Sequence, residues 1–333
     1  MTGNSRSNRP ETTPLRDQVP NEAARIVSET VGGRIRSTEL LPRGVMTFKC
    51  LVQTEGGDRF VVRFYPPARA SVVNCEPDLL QRCRRAGIPV PVNLTDSRRG
   101  PKATLAYVVY QWIDGEMLSE RLPTLGVEEQ KTLARELSSR LSDLQYIEFH
   151  GFGELLTGET APAGSWRAFV DACCRSGVEA LRRHSLLSDA MMLDLSTIVA
   201  GAGPLLRWNK PQLVWGDISF DNILVDRSGH LAALIDFESC LSGDPLTTLG
   251  YCAATNWHQP FYSALCDAWP GAFEPDGQQR VLFYAILRAL RLARYAHQPL
   301  PTGYPRDPLT QIFPGLVPAL STLTTRFAAG WKS

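Results

Sequence analysis

The sequence predicts an α+β protein in which a small antiparallel sheet with one helix is followed by a mainly helical region. Up to Gly115, short segments rich in β-branched and aromatic residues alternate with turns, which is typical of strands. Beyond Gly115, apolar residues recur at the spacing of helical faces. The hydrophobic fraction of 44% and the charged fraction of 21% are those of a chain that buries a core, and they exclude a disordered chain, a collagen and a coiled coil.

The 333 residues are enough for about two domains. Residues 1–22 are polar and rich in Pro, Ser and Asn, and they lack the apolar core of a signal peptide. We therefore expect a mobile N-terminal tail over residues 1–22. An N-lobe is expected over residues 23–113, and a C-lobe over residues 114–333.

The N-lobe elements follow from turn signals that separate apolar runs. Glu55-Gly56-Gly57-Asp58 has the composition of a hairpin turn, and Gly87-Ile88-Pro89-Val90-Pro91 is expected to end a helix. The predicted elements are a helix over Glu22–Val31, strands over Thr47–Thr54 and Arg59–Tyr65, a helix over Glu76–Ala86 and a strand over Leu105–Trp112.

The C-lobe begins with helices and contains three short strands. Leu133, Leu137, Leu141 and Leu144 step by four, four and three residues, which places them on one face of an amphipathic helix. From Asp244 onward the chain is expected to be mostly helical. The other predicted elements are helices over Val127–Ile147, Ser165–His184 and Leu187–Ala200, and strands over Gln212–Trp215, Asn222–Val225 and Leu231–Asp236.

Charge, hydropathy and cysteine usage exclude several classes of protein. Because 35 basic and 34 acidic residues give a net charge of +1, we expect no binding to nucleic acid. The longest apolar stretch, Val281–Leu292, is interrupted by Arg288 and Arg291 and is too short to cross a membrane. The eight cysteines form no C-x-x-C pair, which indicates the reduced, buried thiols of a cytoplasmic protein.

Three polar residues, Asp217, Asn222 and Asp236, stand at the ends of predicted strands in the segment 213–236. The spacing from Asp217 to Asn222 and the later Asp236 match the catalytic loop and the metal-binding Asp of kinases. Phosphoryl transfer needs a carboxylate that aligns an attacking hydroxyl, and it needs oxygen ligands for Mg²⁺. The alternative is that Asp217 and Asn222 are turn residues of a hairpin.

Longer motifs around these residues resemble those of the aminoglycoside phosphotransferase family, which has a two-lobed protein-kinase-like fold. The resemblance is carried by Trp215-Gly216-Asp217 with Asn222, by Ile235-Asp236-Phe237-Glu238 and by Gly243-Asp244-Pro245. Upstream, Glu76 with Leu80 and the segment Trp112-Ile113-Asp114-Gly115 are also similar to the family pattern. The resemblance covers most of Leu40–Leu249.

The resemblance implies that Asp217 is the catalytic carboxylate and that Asn222 and Asp236 are the Mg²⁺ ligands. It also implies ATP or GTP as phosphate donor. The residues implied to bind the nucleotide are Gly44, Thr47, Arg63, Glu76, Gln111 and Ile113. Taken alone, Gly44 is also consistent with a plain turn, and Arg63 with an exposed strand arginine.

The sequence departs from the family pattern at three positions. Arg63 stands where kinases carry a lysine, and we expect it to contact phosphate and to pair with Glu76. Trp215 replaces a histidine, and we expect it to repack the loop. Thr248 replaces a second Asp after the Gly-Asp-Pro motif. Asp244 of that motif is expected to cap the helix that follows.

The acceptor pocket is expected in the C-lobe near Trp166 and Asn256–Tyr262, with Asp221, Glu238 and Trp257 as candidate substrate-binding residues. From Gln212 to the end, ten acidic residues face eight basic ones, so a neutral hydroxylated acceptor fits at least as well as a polycation. Most aromatic residues of this region are expected to pack in the core.

Arg288, Arg291 and Arg294 are spaced by three residues along a predicted helix. We interpret this stripe as a solvated helix face, with a contact to an anionic group as the alternative.

The sequence as a whole therefore predicts a Mg²⁺-dependent phosphotransferase that uses ATP or GTP and acts on a hydroxyl group of a small molecule, for which we favour an antibiotic. Two alternatives remain open. The first is a kinase of a small metabolite such as choline, homoserine or a sugar. The second is a pseudokinase that binds without catalysis.

Overall fold

The computed structural model describes residues 12–42, 46–155, 160–270, 276–294 and 316–329. Within these ranges the chain divides into two compact units. The first unit contains the described residues up to 73 together with residues 93–112. The second contains residues 74–92 and the described residues from 113 onward. Gly44 of the predicted phosphate loop lies outside the described residues.

The first unit is a five-stranded antiparallel sheet with one long helix. The strand order is β1-β2-β3-β5-β4, and the predicted hairpin of β2 and β3 is confirmed, with Lys49 opposite Arg63. The elements are α1 (Thr12–Val31), β1 (Ile35–Leu40), β2 (Phe48–Thr54), β3 (Arg59–Tyr65), β4 (Asn93–Asp96) and β5 (Ala106–Gln111).

Helix α1 begins at Thr12 and so corrects the predicted mobile tail over residues 12–22, while residues 1–11 of that prediction lie outside the described residues. Val19, Ala23, Ile26 and Val27 lie on one helical face and are buried in one core with the sheet. The polar composition of residues 1–22 led to a later predicted helix start, and Pro20 lies inside the helix although proline normally interrupts one. The burial of this apolar face offsets the cost of that proline.

The second unit is mostly helical and contains two small sheets, ordered β10-β9-β6 and β7-β11-β8. Its helices are α2 (Glu76–Arg85), α3 (Leu118–Arg121), α4 (Val127–Asp143), α5 (Trp166–Arg183), α6 (Asp189–Gly201), α7 (Leu246–Asn256), α8 (Pro260–Asp267), α9 (Gly277–Ala293) and α10 (Leu316–Ala329). Its strands are β6 (Glu116–Met117), β7 (Gly153–Glu154), β8 (Gln212–Val214), β9 (Ile223–Val225), β10 (Leu231–Leu234) and β11 (Leu241–Gly243).

Helix α2 groups with the second unit, whereas the sequence assigned it to the N-lobe. Two hydrogen bonds and a cation–π contact explain this grouping. Arg82 Nη2 donates to the carbonyl oxygen of Glu148 at 2.7 Å, and its guanidinium lies 4.4 Å from the centre of the Phe149 ring. Beyond the helix, the Leu234 N–H donates to the carbonyl oxygen of Pro89 at 2.8 Å. These contacts attach the second half of residues 74–92 to the helical unit.

Helix α9 packs closely between α5 and α7, and two glycines make this approach possible. A Cβ atom at Gly250 of α7 would lie 2.4 Å from Tyr284 Cβ, and one at Gly177 of α5 would lie 2.5 Å from the carbonyl oxygen of Leu290. Both distances are far below a van der Waals contact, so any side chain at either position would force the helices apart. The position of α9 is therefore fixed on two sides.

The cysteines are free thiols, and all of them are buried except Cys266, which is half-buried. Burial raises the pKa of Cys50 and of Cys83 to about 12, so these thiols stay protonated at neutral pH. No helix among the described residues is long and apolar enough to span a bilayer.

Candidate active site

Asp217 and Asn222 lie on one loop that leaves β8 and enters β9. Asn222 Nδ2 donates to the main-chain carbonyl of Asp217 at 2.9 Å and lies 3.3 Å from Asp217 Oδ2. The two strands belong to different sheets, so the interpretation of these residues as a hairpin turn is wrong. The asparagine side chain instead closes the loop and holds the aspartate at its start.

Asp236 follows β10 and is joined to the same loop, because the Ile235 N–H donates to the carbonyl oxygen of Asn222 at 2.9 Å. Its φ of 68° is in the left-handed region, where a residue with a side chain is strained. Trp215 Nε1 donates to the carbonyl oxygen of Asp236 at 3.1 Å. The Trp215 ring also stacks on Phe237, with centres 5.6 Å apart and planes at 17°. Trp215 thus holds the strained turn from inside the core.

The role of Trp215 gives a testable expectation. Trp215→Phe keeps an aromatic ring for the stack but removes the N–H donor and part of the buried ring. We expect the free energy of unfolding to fall by about 2–3 kcal/mol, measured by urea denaturation. Trp208→Phe is the matched control, since its indole donates to Lys210 at the surface of the protein. That change is expected to cost less than about 1 kcal/mol, and equal losses would contradict the buried role of Trp215.

Gly216 allows the loop to lie directly on its neighbour. A Cβ atom at Gly216 would lie 2.0 Å from the carbonyl oxygen of Ser239, so no other residue fits there. The loop backbone is therefore packed against the chain that follows Asp236. This packing fixes the main chain of Asp217 before any side-chain contact is considered.

Arg288 and Arg291 of α9, with Arg294 at its C-cap, do not form a solvated face, and that interpretation is wrong. Arg288 Nη2 donates to Asp217 Oδ1 at 2.6 Å, and its Nη1 donates to the carbonyl oxygen of Gly216 at 2.9 Å. Arg291 is buried, and Arg294 is half-buried. The helical spacing did place the three on one side of α9, but their partners are distant in sequence and could not be predicted from it.

Glu154 of β7 accepts hydrogen bonds from two of these arginines. Arg291 Nη2 lies 2.6 Å and Arg294 Nη2 lies 3.2 Å from Glu154 Oε1. Burial alone would raise the pKa of Glu154, but the two guanidinium groups outweigh it and lower that pKa below its ordinary value. Glu154 therefore stays ionised and balances charge beside the Asp217 loop.

In the first unit, Arg63 lies on β3 and is 3% exposed, so the interpretation as an exposed strand arginine is wrong. Arg63 Nε donates to Thr47 Oγ1 at 3.0 Å, and its guanidinium lies 5.4 Å from the centre of the Tyr65 ring. Thr47 is itself buried and acts as a hydrogen-bond acceptor for Arg63. Glu76, in the first turn of α2, is buried within the second unit.

Gln111 ends β5, and the pairing of β5 with β3 defines the direction of its main-chain N–H and C=O groups. The Trp112 N–H donates to the carbonyl oxygen of Arg59 at 3.0 Å. Hydrogen-bonded and non-bonded pairs alternate in an antiparallel ladder, so the N–H and C=O of Gln111 point away from β3. Ile113, two residues further on, is half-buried at the start of the second unit.

The candidate acceptor residues differ in their exposure. Asp221 is exposed, and its Oδ1 accepts a hydrogen bond from the Ser119 hydroxyl. Glu238 is buried. Trp257 is half-buried and carries the guanidinium of Arg326 at 3.5 Å from the ring centre.

The placement of Trp166 near the acceptor is wrong, because it is fully buried and its Nε1 donates to the Tyr284 hydroxyl at 2.9 Å. Five other aromatic residues of this region are buried as expected, namely Phe261, Tyr262, Trp269, Phe283 and Tyr284. A cavity of about 590 Å³ beside Arg167 and Trp208 contains none of the candidate site residues. We therefore place the candidate site at the Asp217 loop, where the polar contacts converge.

Comparison with known proteins identifies the family of this chain. Residues 39–284 match the model of the family described as "Phosphotransferase enzyme family", and the chain belongs to this family. The resemblance noted in the sequence and the predicted fold class are thereby confirmed. A search of curated protein sequences finds no match.

Solved structures with the same fold include several phosphotransferases and a related kinase. A thermostable mutant of aminoglycoside phosphotransferase APH(4)-Ia, in a ternary complex with AMP-PNP and hygromycin B, is 16% identical with a TM-score of 0.71, covering 93% of this chain and 100% of that chain. A putative fructosamine-3-kinase from Haemophilus somnus 129PT is 14% identical with a TM-score of 0.64, covering 94% and 99%. The GDP complex of wild-type aminoglycoside 2'-phosphotransferase-IIIa is 16% identical with a TM-score of 0.65, covering 93% and 98%.

Proposed function

We propose that this phosphotransferase transfers the γ-phosphate of ATP or GTP to a hydroxyl group of a small molecule, and we favour an antibiotic as the acceptor. The observation that carries the proposal is the Asp217 carboxylate, held at the end of β8 by Asn222 and Arg288. A carboxylate fixed in this way can align an acceptor hydroxyl and take its proton as the phosphate is transferred.

The nucleotide is supported by the solved structures of the same fold, which hold AMP-PNP or GDP. In this chain we assign phosphate contacts to Arg63 with the loop of Gly44 and Thr47, and a supporting role to Glu76. The main-chain groups of Gln111 and Ile113 are assigned to the edge of the purine base. Main-chain N–H and C=O groups recognise a purine base through hydrogen bonds without any charged side chain.

The donor set at Asn222 and Asp236 fits Mg²⁺. Asn222 uses its amide N–H groups on Asp217, so its carbonyl oxygen is the group left to act as a ligand. One carboxylate and one amide oxygen suit a magnesium ion that keeps water and phosphate oxygens as its other ligands. The ion would supply charge neutralisation at the phosphates when bound.

For the acceptor, we assign contacts to Asp221, Glu238 and Trp257. The cationic groups near Asp217 and Trp257, those of Arg288 and Arg326, favour a neutral or weakly charged acceptor over a polycation. A small-metabolite kinase is the second candidate, and the structural likeness to a putative fructosamine-3-kinase favours it. A pseudokinase is disfavoured because Asp217, Asn222 and Asp236 are all present.

The experiment is a mass-spectrometric screen for phosphorylated products with Mg-ATP and with Mg-GTP. The acceptor panel holds aminoglycosides, neutral and nucleoside antibiotics, macrolides, and hydroxylated metabolites including sugars. We expect one neutral or weakly charged antibiotic to gain a phosphate group. Phosphorylation of a metabolite alone would select the second candidate, and phosphorylation of aminoglycosides alone would contradict the charge argument.

A further inference from the structure

Arg288 contacts the loop that carries Asp217 at two points. One nitrogen of its guanidinium binds the Asp217 side chain at 2.6 Å, and another binds the Gly216 carbonyl at 2.9 Å. A planar guanidinium holds its donors in fixed directions. The two contacts therefore fix the carboxylate relative to the main chain of its own loop.

The guanidinium of Arg288 is itself held in place. It lies over the ring of Tyr251 at 5.3 Å, and the Tyr251 hydroxyl accepts a hydrogen bond from Arg291 Nη1 at 2.8 Å. Arg291 is anchored in turn by Glu154. The Arg288 side chain is only 17% exposed, whereas the Asp217 side chain is 30% exposed. The arginine is thus the more enclosed partner of the pair.

The helix that carries Arg288 is also fixed, since Gly177 and Gly250 bring α5 and α7 into direct contact with α9. Catalytic geometry depends on side chains whose supports are packed in this way. The arrangement therefore meets the physical requirement for positioning a reactive group.

We propose that Arg288 is a positioning residue for Asp217. Its guanidinium occupies Asp217 Oδ1. The other oxygen, Asp217 Oδ2, is contacted by Asn222 only at 3.3 Å, and it is therefore the oxygen that meets the acceptor hydroxyl. The inference rests on the proposed function of Asp217 and adds a residue that the family motifs do not contain. Without Arg288, the carboxylate rotates about χ1 and spends less time in the productive orientation.

The first arm of the test measures this rotation directly, whether or not an acceptor is known. In protein labelled with ¹³C and ¹⁵N at aspartate, the three-bond N–Cγ coupling of Asp217 reports its χ1 rotamer. We expect one rotamer in the wild type and an averaged coupling in Arg288→Gln. Arg183→Gln is the control, because it makes the same chemical change at an exposed arginine of α5 that pairs with Glu179, and it should match the wild type.

The second arm measures phosphoryl transfer to the acceptor that the screen identifies. Arg288→Gln should lower kcat roughly 10- to 100-fold, with KM for the acceptor and the Kd of Mg-AMP-PNP unchanged. A merely structural role would change binding as well. Arg288→Lys keeps the charge but makes only one of the two contacts, so it should recover part of kcat and serves as the second variant if Arg288→Gln does not fold.

Different results would overturn the positioning role of Arg288 and the proposed phosphotransferase function. An unchanged Asp217 coupling in Arg288→Gln, or an unchanged kcat, would overturn the positioning role while leaving the phosphotransferase intact. If the wild type phosphorylates nothing, the proposed function fails, and the coupling of Asp217 still decides whether Arg288 orients it.

Discussion

Asp217→Asn is expected to lower phosphoryl transfer by about 10³-fold or more while leaving the binding of Mg-nucleotide unchanged. The amide can still accept the hydrogen bond from Arg288, so the loop keeps its shape, but it cannot take the proton of the acceptor hydroxyl. Transfer is measured with the acceptor found in the screen, and binding by calorimetry with Mg-AMP-PNP.

The control for this change is Asp194→Asn, an identical chemical replacement on the exposed face of α6. It should retain the activity of the wild type. Loss of nucleotide binding in Asp217→Asn would show that Asp217 acts in the nucleotide site itself. Retention of full activity would show that another group accepts the proton.

The second large effect concerns stability and involves the Asp244 cluster. Asp244 is fully buried, its Oδ2 accepts Arg280 Nη1 at 3.0 Å and the Tyr284 hydroxyl at 2.7 Å, and its Oδ1 accepts the Leu246 N–H at 3.0 Å. Burial raises the pKa of the Asp244 carboxyl, and Arg280 and Tyr284 oppose this by stabilising the charged form. The carboxylate thus joins the start of α7 to α9.

Asp244→Ala is therefore expected to lower the free energy of unfolding by about 3–5 kcal/mol, because it removes the buried counter-charge of the Arg280 guanidinium. Chemical denaturation followed by circular dichroism measures the loss. Asp276→Ala removes the exposed partner of the same arginine, at 3.5 Å from Arg280 Nε. It should cost less than about 1 kcal/mol, and similar losses in the two variants would contradict the account.

Elements with a strong local signal were predictable from the sequence. Strand β3 has the predicted bounds, and Ser165, at the predicted start of α5, caps that helix by accepting the Ala168 N–H. The loop from Asp217 to Asn222 was also visible, because its residue types and spacing are set by local chemistry. Asp244 caps the start of the following helix, as expected.

The remaining features depend on contacts that span long distances in the sequence. Arg288 meets Asp217 across 71 residues, and Arg294 meets Glu154 across 140 residues. No sequence pattern around the arginines indicates that Asp217 and Glu154 are their partners, so the arginine stripe was interpreted as solvated. In the same way, the hydrogen bond from Trp215 to Asp236 emerges only when the loop and the turn are packed together.

The central claim is that the Asp217 loop transfers phosphate from a nucleotide to a small hydroxylated acceptor. The most direct measurement follows the γ-phosphate of isotopically labelled ATP and GTP in the presence of the pooled acceptor panel, with the wild type and Asp217→Asn compared. We predict that the label moves to an acceptor with the wild type and stays on the nucleotide with Asp217→Asn. Nucleotide binding by the wild type without label transfer to any acceptor would contradict the claim and identify a binding protein.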